Sequence, residues 1–344
     1  MKCVLHIGSE KTGTTSIQRA LAEHGETLEA RQIVYPRLLH GLKHVKISCF
    51  AMDNERMDIR KRRLGLTDDA TIEAFRQTFR RDLARQIKAA GKTAQTVVIV
   101  NEHLSRLQTI AEVERLKAFL AEFFDAVDIH FYVRRQDLLM RSMYSTVIKV
   151  GGIRENVFPP YEEGGRDFVA FDFNRIFRLW TSVFDAKSFH LHRFEKPRLI
   201  AGDVIVDFLV QAGLADEDTA RSFKVEPENP SLDPIALEVL RRFNLAWNRH
   251  GYDKAGIRGV GGIAGELFPG RGKPVTRAEA EAFLSHFEAG NRALAQDCFG
   301  SDDLFDTADM ADMPETIDLP QPTLDDTARI MAAIWNVKFV RSQT

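Results

Sequence analysis

Cysteine is scarce in this chain: Cys3, Cys49 and Cys298 are the only three among 344 residues. They are far apart and offer neither a disulfide framework nor a C-x-x-C metal pair. Such usage fits a reducing compartment, and we expect a cytoplasmic protein. Long apolar runs are also missing. None approaches the ~18–20 residues needed to span a bilayer. The apolar stretch at residues 3–7 is shorter than the h-region of a signal peptide. Net charge is nearly absent as well: 47 Lys and Arg stand against 49 Asp and Glu, leaving −2. A chain so balanced has no global attraction for nucleic acid or an anionic membrane, so neither is expected as a partner, and any anion site must be local. No internal repeat is visible.

What is present is enough apolar material for a core. At 44% hydrophobic, 344 residues can build one large α/β domain or one domain with a helical extension. Residues 1–7 read as a strand, 8–13 as a tight loop and 14–23 as a helix with Ile17, Ala20 and Leu21 on one face. A short strand is expected at 32–36. Residues 43–63 are charged and show no clear period. Helices are expected at 68–90, 110–124, 136–150, 168–184, 203–212, 234–250 and 277–299. The run Thr96-Val97-Val98-Ile99-Val100 is the pattern of a strand buried on both faces. Further strands are expected at 127–133 and 187–194. Segments 151–165 and 256–272 have loop chemistry, and 302–326 is acidic and reads as surface or partly loose chain. Alternating strands and helices predict a parallel sheet covered on both faces. Ligands in such sheets sit beyond the carboxyl ends of the strands. Residues 8–16, 101–103 and 134–142 all lie at such ends.

The loop after the first strand reads His6-Ile7-Gly8-Ser9-Glu10-Lys11-Thr12-Gly13-Thr14-Thr15-Ser16. Gly8 and Gly13 have the separation of a Walker-type loop, but Thr14 stands where that loop's lysine belongs, and the lysine is Lys11. Glycines at a strand-to-helix junction free backbone N–H groups for an anion, and the helix dipole favours one. Thr12, Thr14, Thr15 and Ser16 add hydroxyl donors, and Lys11 adds a charge. The chemistry suits a phosphate or sulfate group.

Lys11-Thr12-Gly13-Thr14-Thr15 after a first strand resembles the 5′-phosphosulfate loop of sulfotransferases, which use 3′-phosphoadenosine-5′-phosphosulfate (PAPS) as sulfuryl donor. The resemblance implies that Lys11 contacts the bridging or leaving oxygen and that Thr12, Gly13, Thr14, Thr15 and Ser16 cradle the 5′-phosphate. A second segment, residues 131–145, is similar to the family's 3′-phosphate motif: an arginine at a strand end, Arg134, and a serine eight residues later, Ser142. Arginine offers a bidentate contact to phosphate and serine a further hydrogen bond. Arg135 adjoins Arg134 in the same turn. The Arg134-Arg135-Gln136 form resembles a bacterial branch of sulfotransferase-like proteins.

The middle strand ends in Asn101-Glu102-His103, where a Walker B strand would end in a magnesium-binding Asp. The family needs no metal, so none is expected, and the missing Asp counts against a kinase. An acceptor hydroxyl must lose its proton as it attacks, and a carboxylate or imidazole here can take it. Glycan-type members place a Glu base at this point, matching Glu102. Small-molecule members place a His before a Leu, matching His103-Leu104.

These readings converge on a P-loop-like parallel α/β sheet with a mostly helical C-terminal extension. Residues 1–215 would form the sulfotransferase core and 216–344 the extension, packed on it as one domain. The expected activity is in-line sulfuryl transfer from PAPS to a hydroxyl or amine on a small-molecule or glycan acceptor, a carbohydrate or hydroxylated metabolite. The polar segment 151–165, with Tyr161 as a stacking face, is the expected acceptor loop. A P-loop kinase using ATP and a non-catalytic nucleotide-binding module are the alternatives.

Overall fold

The computed structural model describes residues 1–38, 41, 44–91, 94–163, 165, 168–225, 231–252 and 254–340. It divides into two compact units, one of Met1–Arg134, Glu163–Glu226 and Ala289–Phe305, the other of Arg135–Glu162, Pro227–Glu288 and Asp306–Thr344.

The first unit carries a five-stranded sheet: β1 (Lys2–His6), β2 (Ile33–Val34), β3 (Thr96–Val100), β4 (Ala126–Val133) and β5 (Phe189–Arg193). Their order is β2-β3-β1-β4-β5, and every pairing is parallel. β1 lies at the centre, with His6 level with Val100 on one side and His130 on the other. The chain leaves β1 for one edge, returns as β3, then crosses to β4 on β1's other flank. The loops after β1, β3 and β4 therefore emerge side by side at one edge of the sheet.

Alternation sends successive side chains to opposite faces, and both faces are buried. Val4, Val98, Val100 and Tyr132 pack with Ile17, Ala20, Leu21, Phe208 and Leu209 from the helices Thr14–Glu23 and Val204–Gln211. On the other face Phe131 meets Phe173 edge to face, and Phe50, Phe79 and Phe119 form a tilted aromatic cluster. The α/β class and the parallel sheet agree with the expectation. The helices Thr14–Glu23, Asp69–Ala89 and Ile110–Ala121 also fall where the period placed them.

Other elements differ. Lys43 lies outside the described residues, but the stretch after it, which showed no period, holds two short helices, Val45–Ala51 and Ile59–Arg63. Each is too short to display a period; the second is started by Asp58, whose side chain accepts from Arg60 N. Residues 168–171 turn before a shorter helix, Phe173–Thr181, capped by Asp172.

In the second unit the glycine-rich segment is a helix, Lys254–Leu267, not a loop. Its glycines serve close packing. A Cβ on Gly261 would lie 1.9 Å from the Lys149 carbonyl oxygen, and one on Gly265 would meet the Lys149 ammonium at 2.8 Å. The four-residue spacing puts both glycines on one face, against the end of the helix Gln136–Lys149. Ser145, on that same helix, accepts from Leu232 N.

The expected helix over 277–299 is interrupted at His286–Phe287, giving Arg277–Ser285 and Glu288–Phe299. Phe287 turns inward against Phe283 and Tyr161, with no Gly or Pro to announce the break. The acidic stretch is not loose throughout: Leu304, Phe305 and Met310 are buried, and Ala308–Asp312 is a 3-10 helix. No helix among the described residues is long and apolar enough to cross a membrane.

Candidate active site

Three strand ends of the first unit build the site. The loop after β1 is clipped to the ends of its neighbours: Ser9 N donates to Tyr132 O (2.7 Å), Asn101 N to His6 O (2.9 Å) and Ser105 N to Ile7 O (3.3 Å). Gly8 and Gly13 both have positive φ, at 54° and 79°. They are required sterically as well. A Cβ on Gly8 would sit 3.1 Å from both Cα and Cβ of Glu102, and one on Gly13 would sit 2.5 Å from Val204 Cγ1. Lys11 also adopts the left-handed conformation, at φ 64°. A non-glycine residue there stores ~1–2 kcal/mol of strain, and such strain gathers at functional positions.

The helix Thr14–Glu23 begins at Gly13 without a side-chain cap, so no side chain satisfies its first-turn N–H groups. Thr14 is buried and its hydroxyl has no hydrogen-bond partner. Thr12 is buried too, but its hydroxyl donates to Ser9 O at 2.7 Å and so braces the loop. Thr15 and Ser16 are half-buried in the first turn. An uncapped helix start, a buried unpartnered hydroxyl and a lysine fit the terminal anion of a nucleotide donor.

Arg134, just past β4, reaches into the same place. Its Nη1 donates to Lys11 O at 3.3 Å, and its guanidinium lies 5.7 Å from the Phe194 ring centre. Burial holds the Lys11 ammonium below the ordinary lysine value; Glu10 opposes that shift, Arg134 adds to it and Glu102 opposes it. Two cations brought together in this way suit a multiply charged anion. Arg135 has another task. It is 2% exposed and forks onto Asp137 (2.8 and 3.1 Å) and Asp309 (2.9 Å), with Nη1 donating to Asp306 O at 2.6 Å, all within the second unit. Ser142 also belongs to the second unit, on Gln136–Lys149, and its carbonyl accepts from the Thr146 hydroxyl.

After β3, Asn101 caps a short 3-10 helix, Glu102–Arg106. Its Oδ1 accepts from His103 N (2.7 Å) and its Nδ2 donates to His44 O (2.6 Å), so both ends of the amide are committed. This fixes the backbone on which Glu102 and His103 stand. His103 Nδ1 lies 3.2 Å from Glu10 Oε1, and its Nε2 lies 4.0 Å from Glu102 Oε1. Glu10 Oε2 also accepts from Arg106 Nη2 at 2.6 Å. Burial raises the Glu10 carboxyl, but the hydrogen bonds and charges of His103 and Arg106 outweigh it and hold the group far below the carboxylate range. Glu102 Oε2 is buried without a partner.

A cavity of about 700 Å³ opens beside this pair, lined by Glu10, His103 and Arg106 together with Arg56, Arg60 and Arg63. Glu102 is not on its wall. The sequence reasoning missed Glu10 and this arginine wall. Glu10 carried a signal: a carboxylate in a loop shaped for an anion is electrostatically misplaced unless a cation beside it claims it. Glu163 and Gly165 of the expected acceptor loop lie in the first unit, Gly164 is outside the described residues, and residues 151–162 lie in the second unit. There the Tyr144 hydroxyl donates to the Arg154 and Glu155 carbonyls, Lys273 binds Glu155 O, and the Tyr161 ring stacks on His286 at 4.1 Å. In the glycine-rich helix, the Arg258 side chain lies outside the described residues.

No known protein family and no curated protein matches the chain. Among solved structures it is similar to a sulfotransferase domain from the curacin biosynthetic pathway, at 16% identity over 96% of each chain with a TM-score of 0.33. A likeness that distant carries no argument about what this chain does.

Proposed function

We propose that this protein is a sulfotransferase that moves a sulfuryl group from PAPS to an acceptor hydroxyl. The observation that carries the reading is Lys11: strained, half-buried, beside Arg134, at the uncapped start of a helix. PAPS would supply a sulfuryl group already attached to a phosphate leaving group. Lys11 and the free first-turn N–H groups meet the negative charge that grows on the leaving oxygen as its bond to sulfur breaks. Thr14, Thr15, Ser16 and the Gly13 backbone hold the 5′-phosphate, and Thr12 keeps the loop in shape. Arg134 recognises the 3′-phosphate.

For the base, the cavity favours His103. Its Nδ1 is turned towards the Glu10 carboxylate at 3.2 Å, so Nε2 is the nitrogen that would take the acceptor's proton as the acceptor oxygen joins sulfur. Glu102 is the second candidate, through its unpartnered Oε2. His103→Ala against Glu102→Gln separates the two. A metal-dependent kinase is disfavoured because Asn101, at the strand end where a magnesium ligand would stand, has its amide fully engaged.

Lys11→Ala should lower the rate of PAPS consumption with a turned-over acceptor by about 10²–10³-fold. Affinity for the product 3′-phosphoadenosine-5′-phosphate (PAP) should fall far less, because the lysine's charge matters most when the leaving group develops its own. Equal losses in single-turnover rate and in PAP affinity would reduce Lys11 to a binding residue and remove the support for sulfuryl transfer.

A further inference from the structure

The cavity beside His103 has a wall that the donor-binding groups do not use. Four arginines and two carboxylates line it, leaving two positive charges on its surface. Three of the arginines are matched at close range. Arg106 is held by Glu10 (2.6 Å), Arg60 by a two-point contact with Asp58 (2.7 and 2.5 Å) and Arg56 by Glu112 (2.8 and 3.0 Å). Arg63 is exposed and has no ion-pair partner among the described residues.

This wall is a built structure and not a solvated charge run. Lys61 is fully buried, and its ammonium donates to the carbonyls of Asp53 (2.9 Å), Asn54 (3.1 Å) and Arg56 (3.3 Å), tying the segment into a tight turn. Glu112, also fully buried, accepts from Asp53 N (3.0 Å) and Gln108 N (2.6 Å) besides Arg56. Burying a lysine and a glutamate is costly unless each is fully bonded. Here both are, and their effect is to hold the arginines at the cavity. The lining is also partly apolar: Met57, Val169 and Ala170 contribute, and Ile59, a large aliphatic residue, is 55% exposed there.

Resting on the sulfotransferase reading above, we infer that the acceptor is a hydroxylated monocarboxylate with an apolar body, its hydroxyl at His103 and its carboxylate at Arg63. One unmatched guanidinium suits one negative charge, and a guanidinium can take a carboxylate in two parallel hydrogen bonds. The charged wall repels cationic acceptors and leaves Arg63 uncompensated with neutral ones, so it selects by what it rejects as well as by what it binds.

The test compares 3-hydroxydecanoate with its methyl ester, measuring PAPS-dependent sulfation and, independently, calorimetric binding of each probe to the PAP-loaded protein. Wild type should prefer the acid by about 5- to 10-fold, with the preference shrinking as salt is added. Arg63→Glu should abolish that preference while leaving PAP affinity unchanged. Equal handling of acid and ester by wild type, in turnover or in binding, would overturn the inference alone. A preference that survives Arg63→Glu would overturn the assignment of the carboxylate to Arg63. Failure of the wild-type protein to bind PAP would instead overturn the sulfotransferase reading on which it rests.

Discussion

Arg135→Ala should destabilise the protein by ~3–5 kcal/mol, more than the loss of the half-buried Arg134 does. The two arginines are neighbours in sequence and opposite in role. Arg135 is 3% exposed in its side chain and faces Asp137, which is fully buried. Removing the guanidinium leaves that carboxylate charged, buried and unmatched, and frees Asp309 at the same time. Arg134 is half-buried at the loop after β1, where it donates to the Lys11 carbonyl at 3.3 Å. Its loss should instead weaken a nucleotide with a 3′-phosphate by ~1.5–3 kcal/mol, and hardly affect one without it. Denaturant unfolding of both variants, paired with PAP titrations, gives the answer. If Arg135→Ala folds like wild type yet loses PAP, the 3′-phosphate arginine is Arg135.

Acid should unfold the sheet-bearing unit through its buried histidines. Three histidines are buried there, His6, His44 and His130, and a fourth, His192, is half-buried. Burial pushes His6 and His192 down to about 3 and His44 to about 4. His130 is lowered too, by burial first and then by the neighbouring His192 and His190. The rings are stacked: His130 lies parallel to His192 with centroids 5.2 Å apart, and His6 packs on Tyr132 at 5.5 Å. All four are neutral in the folded protein, while in the unfolded chain they protonate near pH 6.5. Below that pH the unfolded state binds more protons, so stability is complete above pH 6.5 and is lost as pH falls towards the folded values. Each histidine contributes a slope of ~1.4 kcal/mol per pH unit in that window. Their effects act in the same direction, so the loss steepens as pH falls. Circular dichroism against pH should show cooperative unfolding between about pH 5.5 and 4. His6→Leu, which removes a ring with two unpartnered nitrogens, should move the midpoint to lower pH. A protein that stays folded at pH 4 would contradict this.

Much of the sheet unit was legible because its signals are local. β3 is an unbroken β-branched run, and Gly8 and Gly13 sit where no side chain fits. The loop, the strand ends and Arg134 were therefore placed by pattern alone. The misread parts depend on partners distant in sequence. Gly261 and Gly265 looked like loop glycines, because nothing in the sequence says that a helix end lies against them. The kink at His286 comes from Phe287 packing inward, and no breaker residue marks it. Arg134 and Arg135 look alike on paper, and the contacts of Arg135 with Asp137 and with Asp306 and Asp309, far along the chain, set it apart. Glu10 was in view but lacked a role until His103 and Arg106 stood beside it.

The central claim is that the loop around Lys11 holds the donor nucleotide of sulfuryl transfer. Calorimetric titration of PAP without magnesium, set against ATP with magnesium, tests it most directly. We expect PAP to bind tightly in the absence of metal and to lose affinity in Arg134→Ala, with ATP binding weakly under both conditions. Magnesium-dependent ATP binding that exceeds PAP binding would contradict the account.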